Sequence, residues 1–226
     1  MSFGPQPSLP SFALFGGFLA AAGLPIYIFA PTFYAENYGV GLTAIAAALF
    51  WLRLLDAVQD PLFGWVSERL GRERSFWIGF AVFILLGSML LLFAIPPQTA
   101  PLLWFSLSLT GLFSSFSFLT INFYSQGMTA ALSLPGGHMQ VAAWRETGAL
   151  IGICLAAVVP SLLVLWSNAP MLTFALGFVL IGLLSLWVMR RQWVGSTQRA
   201  PSNFKLIWQD RPARSLLILA FVNALP

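Results

Sequence analysis

The chain has 226 residues, of which 58% are hydrophobic and only 8% are charged, whereas a soluble domain carries about a quarter charged residues. A chain of this composition cannot cover its surface with polar groups, which excludes a soluble globular protein. Uncharged apolar runs of about 20 residues recur along it, the length that crosses a bilayer as a helix. The composition therefore predicts an all-α polytopic membrane protein that has the lipid bilayer as its solvent.

The net charge of +4 does not indicate a nucleic-acid partner, because the basic residues lie in short connections and are not interleaved with aromatic residues on a polar face. The single cysteine, Cys154, lies within an apolar run, which excludes an internal disulfide and a cysteine metal site. The first apolar run, 9–34, is too long for a signal peptide and lacks a basic n-region and a small-residue cleavage site. It is therefore interpreted as a retained first helix.

Six complete spans follow one another in chain order. They are predicted at residues 9–35, 41–66, 75–95, 101–130, 139–166 and 170–189. We assign 1–189 to a six-helix bundle, 190–212 to a polar cytoplasmic linker and 213–226 to the start of a seventh span. Because about a dozen residues are too few to cross a bilayer, we expect the chain to be truncated. A missing C-terminal bundle or a second chain would then complete the protein.

The connections alternate in charge, which predicts the orientation of the bundle. Nine of the eleven Lys and Arg residues fall in the second and sixth connections. The positive-inside rule therefore predicts that these connections and the N-terminus lie in the cytoplasm, with the spans in the cell (inner) membrane. The two remaining basic residues, Arg53 and Arg145, lie within spans.

Arg53, Asp56 and Asp60 share an arc of about 60° on one face of the second span. Each costs about 2.5 to 3.5 kcal/mol near the centre of a membrane helix, so they must face water, ions or one another. Two carboxylates one turn apart supply oxygen ligands for a monovalent cation, sodium or a proton, and the arginine balances their charge when the site is empty. The alternative is a salt-bridge network that only pins helices together. Asp56 and Asp60 are the predicted metal ligands if the ion is sodium, and no other cofactor is expected.

A second polar group is predicted at the depth of Asp60. Arg145 lies about 9 Å from the cytoplasmic end of the fifth span, and Asp60 lies at a similar distance from the same end of the second. Asn122 in the fourth span falls within a turn of that level, so we expect these three side chains to line one polar cavity. For Arg145 and Glu146 the alternative is an interfacial pair that snorkels to the cytoplasm.

The loop "GWVSERLGRER", 64–74, fits the pattern Gly-x-x-x-Asp/Glu-Arg-x-Gly-Arg-x-Arg/Lys, which resembles the signature loop of the major facilitator superfamily. A glycine at 64 permits close helix contact, and the clustered charges can tether the edge of the bundle in one state and release it in another. The candidate conformational-switch residues are Gly64, Glu68, Arg69, Gly71, Arg72 and Arg74.

Together with "RLLDAVQDP", in which Pro61 follows Asp60, the loop resembles the glycoside-pentoside-hexuronide cation symporter family. The segments "INFYSQGMT" and "WRETGALIG" resemble its fourth and fifth helices. This resemblance implies the N-terminal six-helix domain of the superfamily fold, a coupling cation on Asp56 and Asp60, and a substrate cavity lined by Asn122 and Arg145. The other two candidate substrate-binding residues are Arg53 and Tyr27.

The function expected from the resemblance is cation-coupled symport of a sugar or related small solute by alternating access, without enzymatic activity. Members of the melibiose permease type carry an acid in the first helix, but "FGGFLAAAGLP" has none, so a galactoside held by a carboxylate pair is not expected. The alternatives are a half-length chain without transport of its own and a polytopic membrane enzyme with an acidic metal site. The enzyme is disfavoured because no span contains a histidine or a nucleophile beside a base.

Overall fold

The computed structural model describes residues 8–193, Arg214, Ser215 and Leu219, with Arg72 described by its backbone alone. In the bundle it has six α-helices: α1 Leu9–Tyr38, α2 Leu42–Arg69, α3 Arg74–Phe93, α4 Pro101–Ala131, α5 Gly137–Leu163 and α6 Pro170–Met189. All six are long and apolar enough to cross a membrane. The six predicted spans are confirmed, and each predicted boundary lies within three residues of the observed one.

The chain divides into two compact units, Met1–Gly195 and Ser196–Pro226. In the second unit Arg214, Ser215 and Leu219 are helical, and the rest of the predicted seventh span lies outside the described residues, as does the predicted linker from 194 onward. In the first unit Trp193 is buried, with its ring centroid 5.3 Å from that of Phe15. The bundle therefore extends at least to Trp193, four residues past the predicted boundary at 189.

Local signals explain several helix ends. Prolines occupy the first turn of α1, α4 and α6, where the missing N–H has no partner to lose. Gly39 follows the last residue of α1, adopts a left-handed conformation (φ 65°) and donates its N–H to the carbonyl of Tyr34. The α2–α3 connection is short, consisting of Leu70 and a 3-10 turn, Gly71–Glu73.

The core of the bundle is aromatic. Its largest fully buried side chains include Tyr34, Phe12, Phe15, Phe18, Phe105 and Phe123, which come from α1 and α4. Buried residues of α3 and α6 pack around them. α1 also packs closely against α5 through Gly17, Gly148 and Gly152, since a Cβ on any of them would collide with the opposing backbone. Gly148 and Gly152 therefore serve helix packing.

α2 lies at the rim of the bundle, mainly against α4. It buries only Ile45 and Leu52, both of which precede the charged residues. The half of α2 that follows Leu52 contributes no residue to the buried core, so polar side chains on that half are free to meet α4 or to line a space beside it.

Candidate cation and substrate sites

Three side-chain hydrogen bonds join α2 to α4. Ser114 Oγ donates to Gln59 Oε1 at 2.9 Å, Ser117 Oγ donates to Asp60 Oδ1, and Ser67 Oγ donates to Asn122 Oδ1 at 2.7 Å. We call these six residues the α2–α4 seam. Since the partners advance together along both helices, α2 and α4 run parallel, and the seam extends toward the α2–α3 loop. We call this end of the bundle the basic end.

Asp60 belongs to the seam, and Asp56 lies about one turn before it on α2. Gln59 Nε2 donates to Asp56 Oδ1 at 3.4 Å, while Asp60 accepts from Ser117. Neither carboxylate is within ion-pair distance of an arginine among the side chains that the structure describes. This disfavours the alternative in which the charged stripe is a salt-bridge network.

Polar side chains of both helices contact the two carboxylates. Gln59 presents its Nε2 to Asp56, and Ser117 brings a hydroxyl oxygen to Asp60, while Ser114 holds Gln59 Oε1. Carboxylate and hydroxyl oxygens are ligands that hard cations prefer. Among the residues that the structure describes, no group of three or more His, Cys, Asp or Glu side chains is placed to hold a metal ion.

Arg53 and Tyr27 meet between α2 and α1. Arg53 Nη1 donates to Tyr27 Oη at 3.0 Å, and Tyr27 remains 47% exposed. The structure thus brings together two of the candidate substrate-binding residues. The bond leaves other N–H groups of the Arg53 guanidinium to face the exposed side of the bundle.

Arg145 lies in a separate small cavity of about 100 Å³ between α1, α4 and α5. Its Nη2 and Nε donate to Glu146 Oε1 at 2.8 and 3.0 Å, and its guanidinium carbon lies 3.9 Å from the ring centroid of Tyr124. Thr120 also lines this cavity, and its hydroxyl is buried without a hydrogen-bond partner. The cavity therefore offers a cation and an unsatisfied hydroxyl to a polar ligand.

Asn122 is not the α4 residue that meets Asp60, and it is not among the residues that line the Arg145 cavity. It is fully buried at the level of Ser67, and Ser117, five residues earlier in α4, is the residue that meets Asp60. Five residues correspond to about 7.5 Å along a helix. Asn122 is therefore offset from Asp60 along the seam, because counting residues from helix ends ignores the stagger between α2 and α4.

Arg74 lies much deeper than a loop residue would. It is only 4% exposed, its Nε donates to Asn122 Oδ1 at 2.8 Å, and its Nη2 donates to the Asn122 carbonyl at 2.8 Å. Asn122 Nδ2 in turn donates to the carbonyl of Phe118 at 2.8 Å. The side-chain oxygen and nitrogen of Asn122 are therefore both engaged in hydrogen bonds inside the bundle.

The rest of the loop motif is more exposed. The guanidinium of Arg69 stacks 3.4 Å from the ring centroid of Trp65, and Gly71 has φ 47°, a conformation that favours glycine. Glu68 is exposed, and the side chain of Arg72 lies outside the described residues. The close helix contact expected at Gly64 is not made in the described part of the bundle, since a Cβ there would meet nothing within 4 Å.

Sequence reasoning missed Gln59, Ser114, Ser117, Thr120 and Tyr124. Gln59 could have been found, because it lies between the two aspartates. The α4 residues carry no such signal, since serine and threonine in membrane helices commonly bond to their own backbone.

Comparison with protein families gives one decisive result: the model of the family described as MFS/sugar transport protein matches residues 12–226. The chain belongs to this family of the major facilitator superfamily. Comparisons with curated proteins and with solved structures gave no significant match. Family membership and the six apolar helices identify a multi-pass membrane protein of the MFS/sugar transport family, and they indicate a transporter rather than an enzyme.

Proposed function

We propose that the protein is a cation-coupled symporter for a sugar or related small solute. The observation that carries the proposal is the polar group on the α2–α4 seam, where Asp56 and Asp60 lie beside Gln59 and Ser117 without an arginine partner. A monovalent cation, sodium or a proton, together with the charge of Arg53 on the same face of α2, neutralises the two carboxylates when it binds. Loss of the cation restores a net negative stripe, so occupancy changes which conformation is favoured.

The substrate binds next to this group. Arg53 with Tyr27 forms one polar contact on the exposed side of α1 and α2, and Arg145 with Thr120 forms another between α1, α4 and α5. Two polar contacts on different helices suit a solute that carries several hydroxyls. Asn122 acts through the seam rather than on the solute.

The protein functions in the inner membrane with its basic end in the cytoplasm, because Arg69, Arg72 and Arg74 cluster there. A second helical bundle, in the same chain or in another, completes the carrier and rocks against α1–α6 about the bound solute.

The test is uptake of labelled mono- and disaccharides by the protein expressed from its complete reading frame and reconstituted in proteoliposomes. Uptake should depend on an imposed sodium or proton gradient and should be lost in Asp60→Asn. The substituted amide oxygen can still accept from Ser117, which preserves the fold. Glu36→Gln, an exposed carboxylate change near the end of α1, is the matched control and should leave uptake unchanged. Uptake that stays gradient-driven in Asp60→Asn would refute the proposal.

A further inference from the structure

The most deeply buried charge in the described bundle is not used by the proposed transport cycle. Arg74, with only 4% of its surface exposed, has neutral oxygen acceptors from Asn122. Burying a guanidinium is costly unless its N–H groups are bonded. Arg74 is nevertheless buried where α2, α3 and α4 meet. Orienting the protein in the membrane does not require a buried arginine, so this residue has another role.

The second half of α2 depends on polar contacts for its position. No residue after Leu52 in α2 is fully buried. This half packs along α4, with an edge-on contact of Phe63 with Phe118 at 5.9 Å between ring centroids, and the three hydrogen bonds of the seam add specific polar contacts. These bonds fix which residues of the two helices face one another.

The Asn122 amide is held in one orientation. Its Nδ2 is fixed to its own helix through Phe118, which directs Oδ1 toward Ser67 and Arg74. Ser67 belongs to α2 and Arg74 begins α3, and only four residues separate these helices. Thus one residue of α4 fixes the end of α2 twice, by the direct bond from Ser67 and through the short connection to Arg74.

We propose that Ser67, Asn122 and Arg74 form a register clamp that positions the cation site. The clamp holds α2 at the one register in which Asp60 meets Ser117. A shift of α2 by a single residue would move Asp60 by about 1.5 Å along the axis and about 100° around it, which separates the two oxygens. Ser67, Asn122 and Arg74 are positioning residues, since they act on the cation through helix register. The inference rests on the proposed cation coupling.

The first measurement identifies the cation. The protein from the complete reading frame is titrated with sodium, lithium or protons at constant ionic strength with choline, and intrinsic tryptophan fluorescence records the half-saturating concentration. The wild-type protein should respond to one of these ions and Asp60→Asn should not. An absent wild-type response, or an equal response in Asp60→Asn, overturns both the proposed function and the clamp.

The second measurement tests the clamp alone. Ser67→Ala removes one bond to Asn122 and leaves Arg74 in place, so the half-saturating concentration should rise about five-fold, as expected for one lost neutral hydrogen bond. Ser106→Ala is the matched control, because the Ser106 hydroxyl bonds to the Leu102 carbonyl of its own helix. It should stay within about two-fold of wild type.

Two substitutions at Asn122 test the clamp further, one that removes the hydrogen-bond acceptor and one that keeps it. Asn122→Ala should raise the half-saturating concentration further. Asn122→Asp keeps an acceptor for Ser67 and Arg74 but loses the N–H that the Phe118 carbonyl accepts, so its half-saturating concentration should lie between those of wild type and Asn122→Ala. Should the alanine variant fail to fold, Ser67→Ala still decides. If Ser67→Ala titrates like Ser106→Ala while Asp60→Asn is unresponsive, the clamp is refuted and the proposed function stands.

Discussion

Replacing Gly17 by alanine tests the close packing of α1 on α5. A Cβ at this position would lie 2.8 Å from the carbonyl oxygen of Gly148, and ordinary van der Waals contact begins at 3.4 Å. The helices must therefore separate by about 0.6 Å, the difference between these two distances. Since the obstacle is backbone, no side-chain rotation can relieve it.

Two opposing energies determine the direction and the size of the change in stability caused by Gly17→Ala. Overpacking costs about 1 to 3 kcal/mol, whereas glycine to alanine inside a helix gains about 0.5 to 1 kcal/mol. Gly17→Ala should therefore destabilise the bundle by up to about 2.5 kcal/mol. Gly23→Ala on the same helix meets nothing within 4 Å and should keep the propensity gain, so it is the matched control.

The assay is the midpoint of thermal unfolding of each purified variant in the same detergent, followed by intrinsic fluorescence. For a domain of this size a change of 1 kcal/mol moves the midpoint by about 2 to 4 °C. Gly17→Ala should melt below wild type and Gly23→Ala at or above it. Equal midpoints for the two variants would show that α1 and α5 do not approach as closely as described.

Two further substitutions probe the bundle and the seam. Trp193→Ala should lower the free energy of unfolding by about 3 to 5 kcal/mol, because Trp193 is 93% buried and packs against Phe15 in the core. Trp193→Phe should recover most of the loss in the same thermal assay. Equal melting of wild type and both variants would contradict the packing. Ser117→Ala removes the hydroxyl that donates to Asp60 and should raise the half-saturating cation concentration several-fold in fluorescence titrations, an effect of about 1 kcal/mol, whereas unchanged titration would remove Ser117 from the site.

Hydropathy and charge were sufficient to predict the helices and the charged stripe. Long apolar runs form helices in a bilayer, because a helix satisfies the backbone hydrogen bonds within the segment. The six spans were therefore predicted nearly to their ends. Arg53, Asp56 and Asp60 were identifiable because ionised side chains are rare in such runs. Both signals are local, and both can be read directly from the chain.

The α4 residues that contact the charged face of α2 depend on how the two helices are rotated and staggered against each other. Ser115 bonds to the Gly111 carbonyl of its own helix at 2.6 Å, whereas its neighbour Ser114 bonds to Gln59 across the seam. Residue type does not distinguish these two serines. The depth of Arg74 was missed for the same reason, since its acceptors lie on Asn122.

In the proposed transport cycle, the carboxylates of Asp56 and Asp60 bind and release a monovalent cation. Infrared difference spectroscopy of the carboxylate stretching bands tests this binding most directly, because the bands respond to protonation and to metal ligation alike. Addition of sodium or lithium at constant pH, or a step in pH, should produce bands in wild type that are missing from the variant with both Asp56→Asn and Asp60→Asn, above the background of the other carboxylates that both proteins share. A double variant whose spectrum changes in the same way as that of wild type, or a wild-type spectrum that responds to none of the three ions, would contradict the proposed cation site.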